Sequence, residues 1–197
     1  FFAPQGKPVL HTDKYAIRRM RYDERNNEIE QAFFGTDGQP VLNRNWVSVV
    51  RTTFDERGNI SGRLYFGTDN QSVLERKSLT AGHRTRFDEL GREIDVRYLG
   101  LDGKPTLSKD GFAAIQSTYD GSGNKTELKF LGTDGAPRAL ANGTAGWRAS
   151  YDNRGNVLGR KTLGVDGRVT ANVFGVAEYR SVFSPRGKEQ ERRFFGV

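Results

Sequence analysis

Carboxylates recur along this chain at a fixed interval, and carboxylates are the side chains that bind calcium or act as general acids and bases. One series follows an aromatic residue: Asp23 after Tyr22, Asp55 after Phe54, Asp88 after Phe87, Asp120 after Tyr119 and Asp152 after Tyr151, with Phe183-Ser184 as a sixth, degenerate copy. A second series, Asp37, Asp69, Asp102, Asp134 and Asp166, sits in segments such as GTDG, GLDG and GVDG. Calcium wants about six to eight oxygen ligands, and each GxDG segment brings one carboxylate. Asp is also a standard turn residue, so turn chemistry is the reading preferred over calcium. Five equivalent copies of the first series likewise point to a structural demand made once per repeat, not to a catalytic acid. The expectation is no enzyme, no metal and no cofactor.

Guanidinium groups form the other series. Three residues before each aromatic stand Arg19, Arg51, Arg84, Gln116, Arg148 and Arg180, with more basic residues downstream, Arg160 and Arg192 among them. Strand alternation puts this column on the face opposite the aromatic anchor. Two readings stand side by side. The first is a solvated face whose arginines cover sheet surface and pair with Glu30, Asp95 or Glu127. The second is a ladder facing an anionic polymer, formed by Arg19, Arg51, Arg84, Arg148 and Arg180 and reinforced by Arg160 and Arg192. A carbohydrate partner would instead use Trp46 and Trp147 as exposed stacking platforms. His83 shares its column with Arg18, Val50, Ile115, Trp147 and Tyr179, so nothing there demands an imidazole, and His11 lies in a terminal linker. Asn142-Gly143-Thr144 matches a glycosylation sequon, in a linker where Asn and Gly are expected anyway.

These series reflect a repeat. Successive anchors are 32, 33, 32, 32 and 32 residues apart, and FFAPQGKPVL at 1–10 aligns with FFGTDGQPVL at 33–42. Both ends therefore read as falling inside a repeat. The expectation is a single array over 1–197, about six copies of a 32-residue repeat cut from a longer one.

Upstream of each anchor lie β-branched and aromatic segments such as 46–54, 115–119 and 147–151, which read as strands. In DERGN, DELGR, DGSGN and DNRGN, Asp accepts hydrogen bonds from nearby N–H groups. Gly supplies the positive φ of a type I turn closed by a G1 bulge. The predicted turns are Asp23 to Asn27, Asp55 with Gly58, Asp88 with Gly91, Asp120 with Gly123 and Asp152 with Gly155; the first copy carries Asn26 in the glycine position. A return strand, including 63–66 and 129–131, leads to the GxDG turn. Past it, Pro40, Pro105 and Pro137 predict a loop or edge segment, then a short extended linker reaching Ala16, Ser48, Ala81, Ala113, Ala145 or Ala177. The fold class is all-β: tandem β-hairpin repeats forming an elongated antiparallel β-solenoid or a curled open sheet. The buried layer is expected from the anchors together with Phe33-Phe34, Tyr65-Phe66, Tyr98-Leu99 and Phe130-Leu131.

The YDxxGN element, as in Tyr151-Asp152-Asn153-Arg154-Gly155-Asn156, resembles the YD motif of bacterial Rhs/YD-repeat proteins, whose hairpins wind into shells or surface-exposed rods. The period exceeds that family's unit of about twenty residues, and the GxDGxP turn departs from its consensus. MORN-like and WG-type bacterial β-repeats share the hairpin-plus-DGK flavour and stay open as alternatives. None of these families implies a catalytic residue.

Composition agrees with a scaffold. The 197 residues carry 31 Lys+Arg against 24 Asp+Glu, with 35% hydrophobic residues and no Cys, which argues against disulfides, thiolate chemistry and a large closed-pocket enzyme. No apolar run is long enough to span a bilayer, and the first ten residues lack the pattern of a signal peptide. The function expected is a structural or interaction segment of a larger bacterial surface, secreted or envelope-associated protein, with a cytoplasmic location as the other possibility. Protein partners or self-assembly come first. A carbohydrate or polyanion-binding module, or part of an Rhs-like shell enclosing a toxin, is the alternative.

Overall fold

A computed structural model describes residues 6–197, and the chain divides into two compact units, the first ending at Lys109 and the second running Asp110–Val197. Among the described residues there are twelve strands and no helix. The first unit holds β1 (Ile17–Tyr22), β2 (Glu28–Phe34), β3 (Val49–Phe54), β4 (Ile60–Phe66), β5 (Gly82–Phe87) and β6 (Glu93–Leu99). The second holds β7 (Ala114–Tyr119), β8 (Lys125–Leu131), β9 (Gly146–Tyr151), β10 (Val157–Leu163), β11 (Glu178–Phe183) and β12 (Glu189–Phe195).

Within each unit the strands pair in sequence order, all antiparallel. Each is an open meander of hairpins, the second of the two arrangements allowed by the spacing. Inside a hairpin six residue pairs face each other, as in β3–β4; between hairpins only three do, as Glu30↔Arg51, Gln31↔Val50 and Ala32↔Val49. The small-residue column explains how hairpins join. Ala16, Ser48, Ala81, Ala113, Ala145 and Ala177 are buried. Ser48 donates its N–H to the Phe66 carbonyl and accepts from the Phe33 N–H, extending the ladder by one residue, and Ala145 does the same with Leu163 and Phe130.

The segment after each GxDG turn is an isolated bridge, not a third strand. Phe34↔Pro40, Leu99↔Pro105 and Leu131↔Pro137 pair through the residues on either side of the proline, as the Gln39 carbonyl accepts from the Gly35 N–H and the Val41 N–H donates to the Phe33 carbonyl, so the missing donor costs nothing.

The linker that follows is not extended. It is a third turn, with Lys14, Trp46, Leu79, Gly111, Gly143 and Gly175 at positive φ. Asn43 shows why it forms: its Oδ1 accepts from the N–H groups of Asn45 and Val47, and Trp46 closes onto the Asn43 carbonyl. Trp46, Val47 and Ser48 therefore belong to a turn and a junction, and β3 begins at Val49 and not at 46. The one irregular spacing of 33 residues also lies in this turn. Asn43, Leu140 and Asn172 donate their N–H groups to the carbonyl four residues ahead, whereas Glu75 donates to that of Thr80, five ahead. One inserted residue is absorbed without disturbing the strands.

The core is thin and lies mostly at the hairpin ends away from the anchors. Phe33, Val47, Leu99, Phe112, Leu131 and Leu163 are its large buried side chains. Phe33 packs on Tyr15 with ring centroids 4.9 Å apart, and Phe130 on Phe112 at 5.0 Å. The anchors were expected in this layer but sit higher: Tyr22 is 50% exposed, and Phe54, Phe87, Tyr119 and Tyr151 are half-buried beside the solvent-facing hairpin turns.

Candidate functional site

The anchor aspartates are consumed by their own turns. Asp55 Oδ1 accepts from the N–H groups of Arg57 and Asn59, at 3.0 and 2.8 Å, while Oδ2 accepts from the Asn59 side chain at 2.9 Å. Asp23, Asp120 and Asp152 repeat this with Asn27, Asn124 and Asn156, which accounts for the final Asn of the motif. At Asp88 the arginine Arg92 takes that place, its Nε donating at 2.6 Å. Hydrogen bonds to the charged form hold Asp23, Asp55, Asp120 and Asp152 below the ordinary carboxylate range, the Asn side chain being the largest cause, and at Asp88 the Arg92 backbone N–H leads. Asn26 and Gly58, Gly91, Gly123 and Gly155 all have φ between 64° and 89°. A register shift closes each hairpin just before its anchor, as between Thr53 and Phe54.

The GxDG carboxylates are equally committed. Oδ1 of Asp37, Asp69, Asp102, Asp134 and Asp166 accepts the N–H two residues on, each at 3.0 Å. The first glycine of the motif makes room for this: a Cβ on Gly132 would lie 2.8 Å from Asp134 Oδ1. Among the described residues no group of three or more metal-ligating side chains comes together.

The arginine column shares one sheet face in each unit, and that face carries its own acids. Glu30 lies opposite Arg51 across two hairpins and accepts from its Nε at 3.0 Å and from Arg21 at 3.3 Å. Glu127 does the same for Arg148 at 2.6 Å and Lys129 at 3.2 Å, with both neighbours holding its pKa down against burial. Arg180 pairs with Glu178 at 2.6 Å. The fully buried Asp95 holds Arg97 at 2.8 Å and Arg86 at 3.8 Å. Three members also lie over aromatic rings: Arg19 over Phe34 at 4.3 Å, Arg51 over Phe66 at 4.2 Å and Arg180 over Phe195 at 4.9 Å. Arg84 is exposed and faces Gly62.

Arg160 and Arg192 do not reinforce this row. Arg160 pairs with Tyr179 and Arg192 with Ser181, the two neighbours of Arg180 on β11, so both point to the other face. There they lie over Trp147 and Tyr179, each at 4.5 Å. One face of the Trp147 ring is thereby covered, while Trp46 stays 49% exposed on its turn with Arg76 5.8 Å away. His83 faces Tyr98 in the sheet, and burial lowers its pKa.

The fold is thus an all-β array of tandem hairpins. No protein-family model matches the sequence, and no curated protein matches it. Among solved structures, the Tc holotoxin pore of Photorhabdus luminescens gives a TM-score of 0.40 at 12% identity, over 94% of this chain and 9% of that chain. A TcdB2-TccC3-TEV crystal structure gives 0.41 at 12% identity, with 94% and 9% covered. The chain spans less than a tenth of the length of those chains, and a likeness at these values leaves function to be read from its own residues.

Proposed function

We propose that this chain is a non-enzymatic repeat scaffold, a segment of a larger bacterial surface, secreted or envelope-associated protein that presents hairpins for assembly or for binding a protein partner. One observation carries this reading. The carboxylates that recur once per repeat accept hydrogen bonds from their own turns, and most of the arginine column is tied to acids on its own face. Such repetition serves the architecture, as in solenoid and repeat proteins where each unit is completed by its neighbours. The resemblance of the YDxxGN turn to Rhs/YD repeats points the same way.

The test is excision of one period. Removing 119–150 joins Thr118 to Tyr151, and Tyr151 stands at the position of Tyr119 in the next copy. A scaffold of interchangeable repeats keeps its β-sheet circular dichroism and a cooperative melt. Complete unfolding of the shortened chain would show a globular domain with incidental repetition and end the proposal.

A further inference from the structure

We propose that the first unit binds an acidic oligosaccharide in an open groove between its third turns and the sheet face opposite the arginine column. The groove encloses about 990 Å³. The strands supply Arg18 and Arg63, and the turns supply Arg44, Arg76, Lys77 and Lys109.

The turn cations are placed by the backbone. Arg44 donates its N–H to the Asp13 carbonyl at 2.8 Å, Arg76 to Asn45 at 3.0 Å and Lys109 to Ser78 at 2.7 Å, so successive third turns are hydrogen-bonded in a row. Each turn thus carries a cation at its equivalent position, spaced 32 and 33 residues in sequence. The equivalent residues of the second unit are Ala141 and Val173, which confines the feature to the first.

These cations differ from those of the opposite face in having no acid. All six are exposed, and among the described residues none of their side chains forms an ion pair or hydrogen bond; Arg76 has a distant ring contact, with Trp46. Three carboxylates also line the groove, and none of them forms an ion pair with the six cations. Asp13 lies 3.2 Å from His11, Glu28 accepts from Gln31, and Glu75 is buried and accepts from both the N–H and the hydroxyl of Ser78. Six cations against three carboxylates leave the concavity net positive, which concentrates field on an anionic ligand.

The remaining lining selects the kind of anion. Gln31, Thr52 and Asn45 offer amide and hydroxyl groups suited to sugar hydroxyls, between guanidinium groups suited to carboxylate or sulfate. Single-stranded nucleic acid would need open ring faces for its bases. Three rings line the groove: Tyr15 and Phe33 are packed on each other and Phe33 is buried, which leaves the half-buried Tyr65 where successive bases would need several open faces.

The experiment is calorimetric titration of the 197-residue chain with a heparin-derived hexasaccharide, with neutral maltohexaose and a twelve-nucleotide oligothymidylate as comparisons. Two triple variants change the net charge equally: Arg44→Gln with Arg76→Gln and Lys109→Gln in the groove, and Arg51→Gln with Arg148→Gln and Arg180→Gln on the opposite face. The groove substitutions leave the backbone bonds that place these residues intact, and circular dichroism checks the fold of both. At about threefold per exposed ionic contact, the groove triple weakens hexasaccharide binding about thirtyfold, and the opposite-face triple less than threefold. Equal weakening by both would reduce the effect to net charge and overturn the proposal. So would greater loss from the opposite-face triple, tighter binding of the oligothymidylate, or no hexasaccharide binding at all.

Discussion

Gly82→Ala offers a sharp test of the sheet geometry, because repeat comparison and atomic spacing give opposite answers. The equivalent positions of other copies hold Ile17, Val49, Ala114, Gly146 and Glu178, so comparison alone makes alanine harmless. Spacing says otherwise. A Cβ on Gly82 would lie 2.2 Å from the Arg63 carbonyl oxygen and 2.8 Å from Leu64 Cδ2, where ordinary contact starts at 3.4 Å. The obstacle is backbone, so β5 must withdraw from β4 by about 1.2 Å, the shortfall from ordinary contact. Three residue pairs, Gly62↔Arg84, Arg63↔His83 and Leu64↔Gly82, and the bond from the Tyr65 N–H to the Ala81 carbonyl join these hairpins, and such a movement takes hydrogen bonds there out of range.

One or two lost bonds at about 1 kcal/mol each, with about 1–2 kcal/mol of overpacking, give about 2–4 kcal/mol. For a chain of this size that corresponds to about 5–15 °C in Tm. The control is Gly58→Ala, where a Cβ meets nothing within 4 Å but φ is 87°, a strain of about 1 kcal/mol. Guanidinium unfolding of both variants decides the matter. If Gly82→Ala melts with the parent chain, or loses less stability than Gly58→Ala, the inter-hairpin spacing is not the constraint argued here.

At the same turn, Gly58→Asn should stay within about 0.5 kcal/mol of the parent in urea unfolding because asparagine tolerates left-handed φ, as Asn26 does at 64°, whereas Gly58→Val should cost at least about 2 kcal/mol. The anchor aspartates have depressed pKa values in the fold, so their contribution is present above the unfolded value of about 3.9 and lost as pH falls through the lower folded values. Thermal melts should therefore show a loss as pH falls through about 6.5, from His83 held below its ordinary value by burial, and a further decline below about pH 4, which Asp55→Asn with Asp152→Asn should flatten. Asp95→Ala should cost about 2 kcal/mol by chemical denaturation, less than a sealed ion pair, because Arg97 and Arg86 remain half-exposed and can be hydrated.

The legible parts of this protein are those whose chemistry is local. Asp23 through Asn27 and Asp37 through Gln39 close their turns with groups two to four residues apart, so composition and spacing reveal them directly. The third turn was hidden because its positive-φ position is Lys14, Trp46 and Leu79 in the first copies, residue types that do not announce left-handed backbone. Trp46 even continues a run of β-formers. Gly111, Gly143 and Gly175, 32 residues apart, were the signal that could have exposed it. The split of the basic residues between faces depends on the three-pair register between hairpins. That register comes from the junction at the small-residue column and not from any local motif.

That junction also explains why the two faces have opposite characters in the first unit. The offset that sets Ala32 against Val49 necessarily sets Glu30 against Arg51, so acids on a return strand fall beside arginines of the next hairpin and neutralise that face. On the reverse face the same offset sets Arg63 against His83 and Gln31 against Val50, with no acid opposite any cation. The third turns then add Arg44, Arg76 and Lys109 to that side through bonds made by the backbone alone, which fix the row whatever side chain it bears. A row fixed in this way can change from Arg44, Arg76 and Lys109 to Ala141 and Val173 without cost to the fold. The architecture therefore leaves the third turn as the place where one repeat can differ in function from the next.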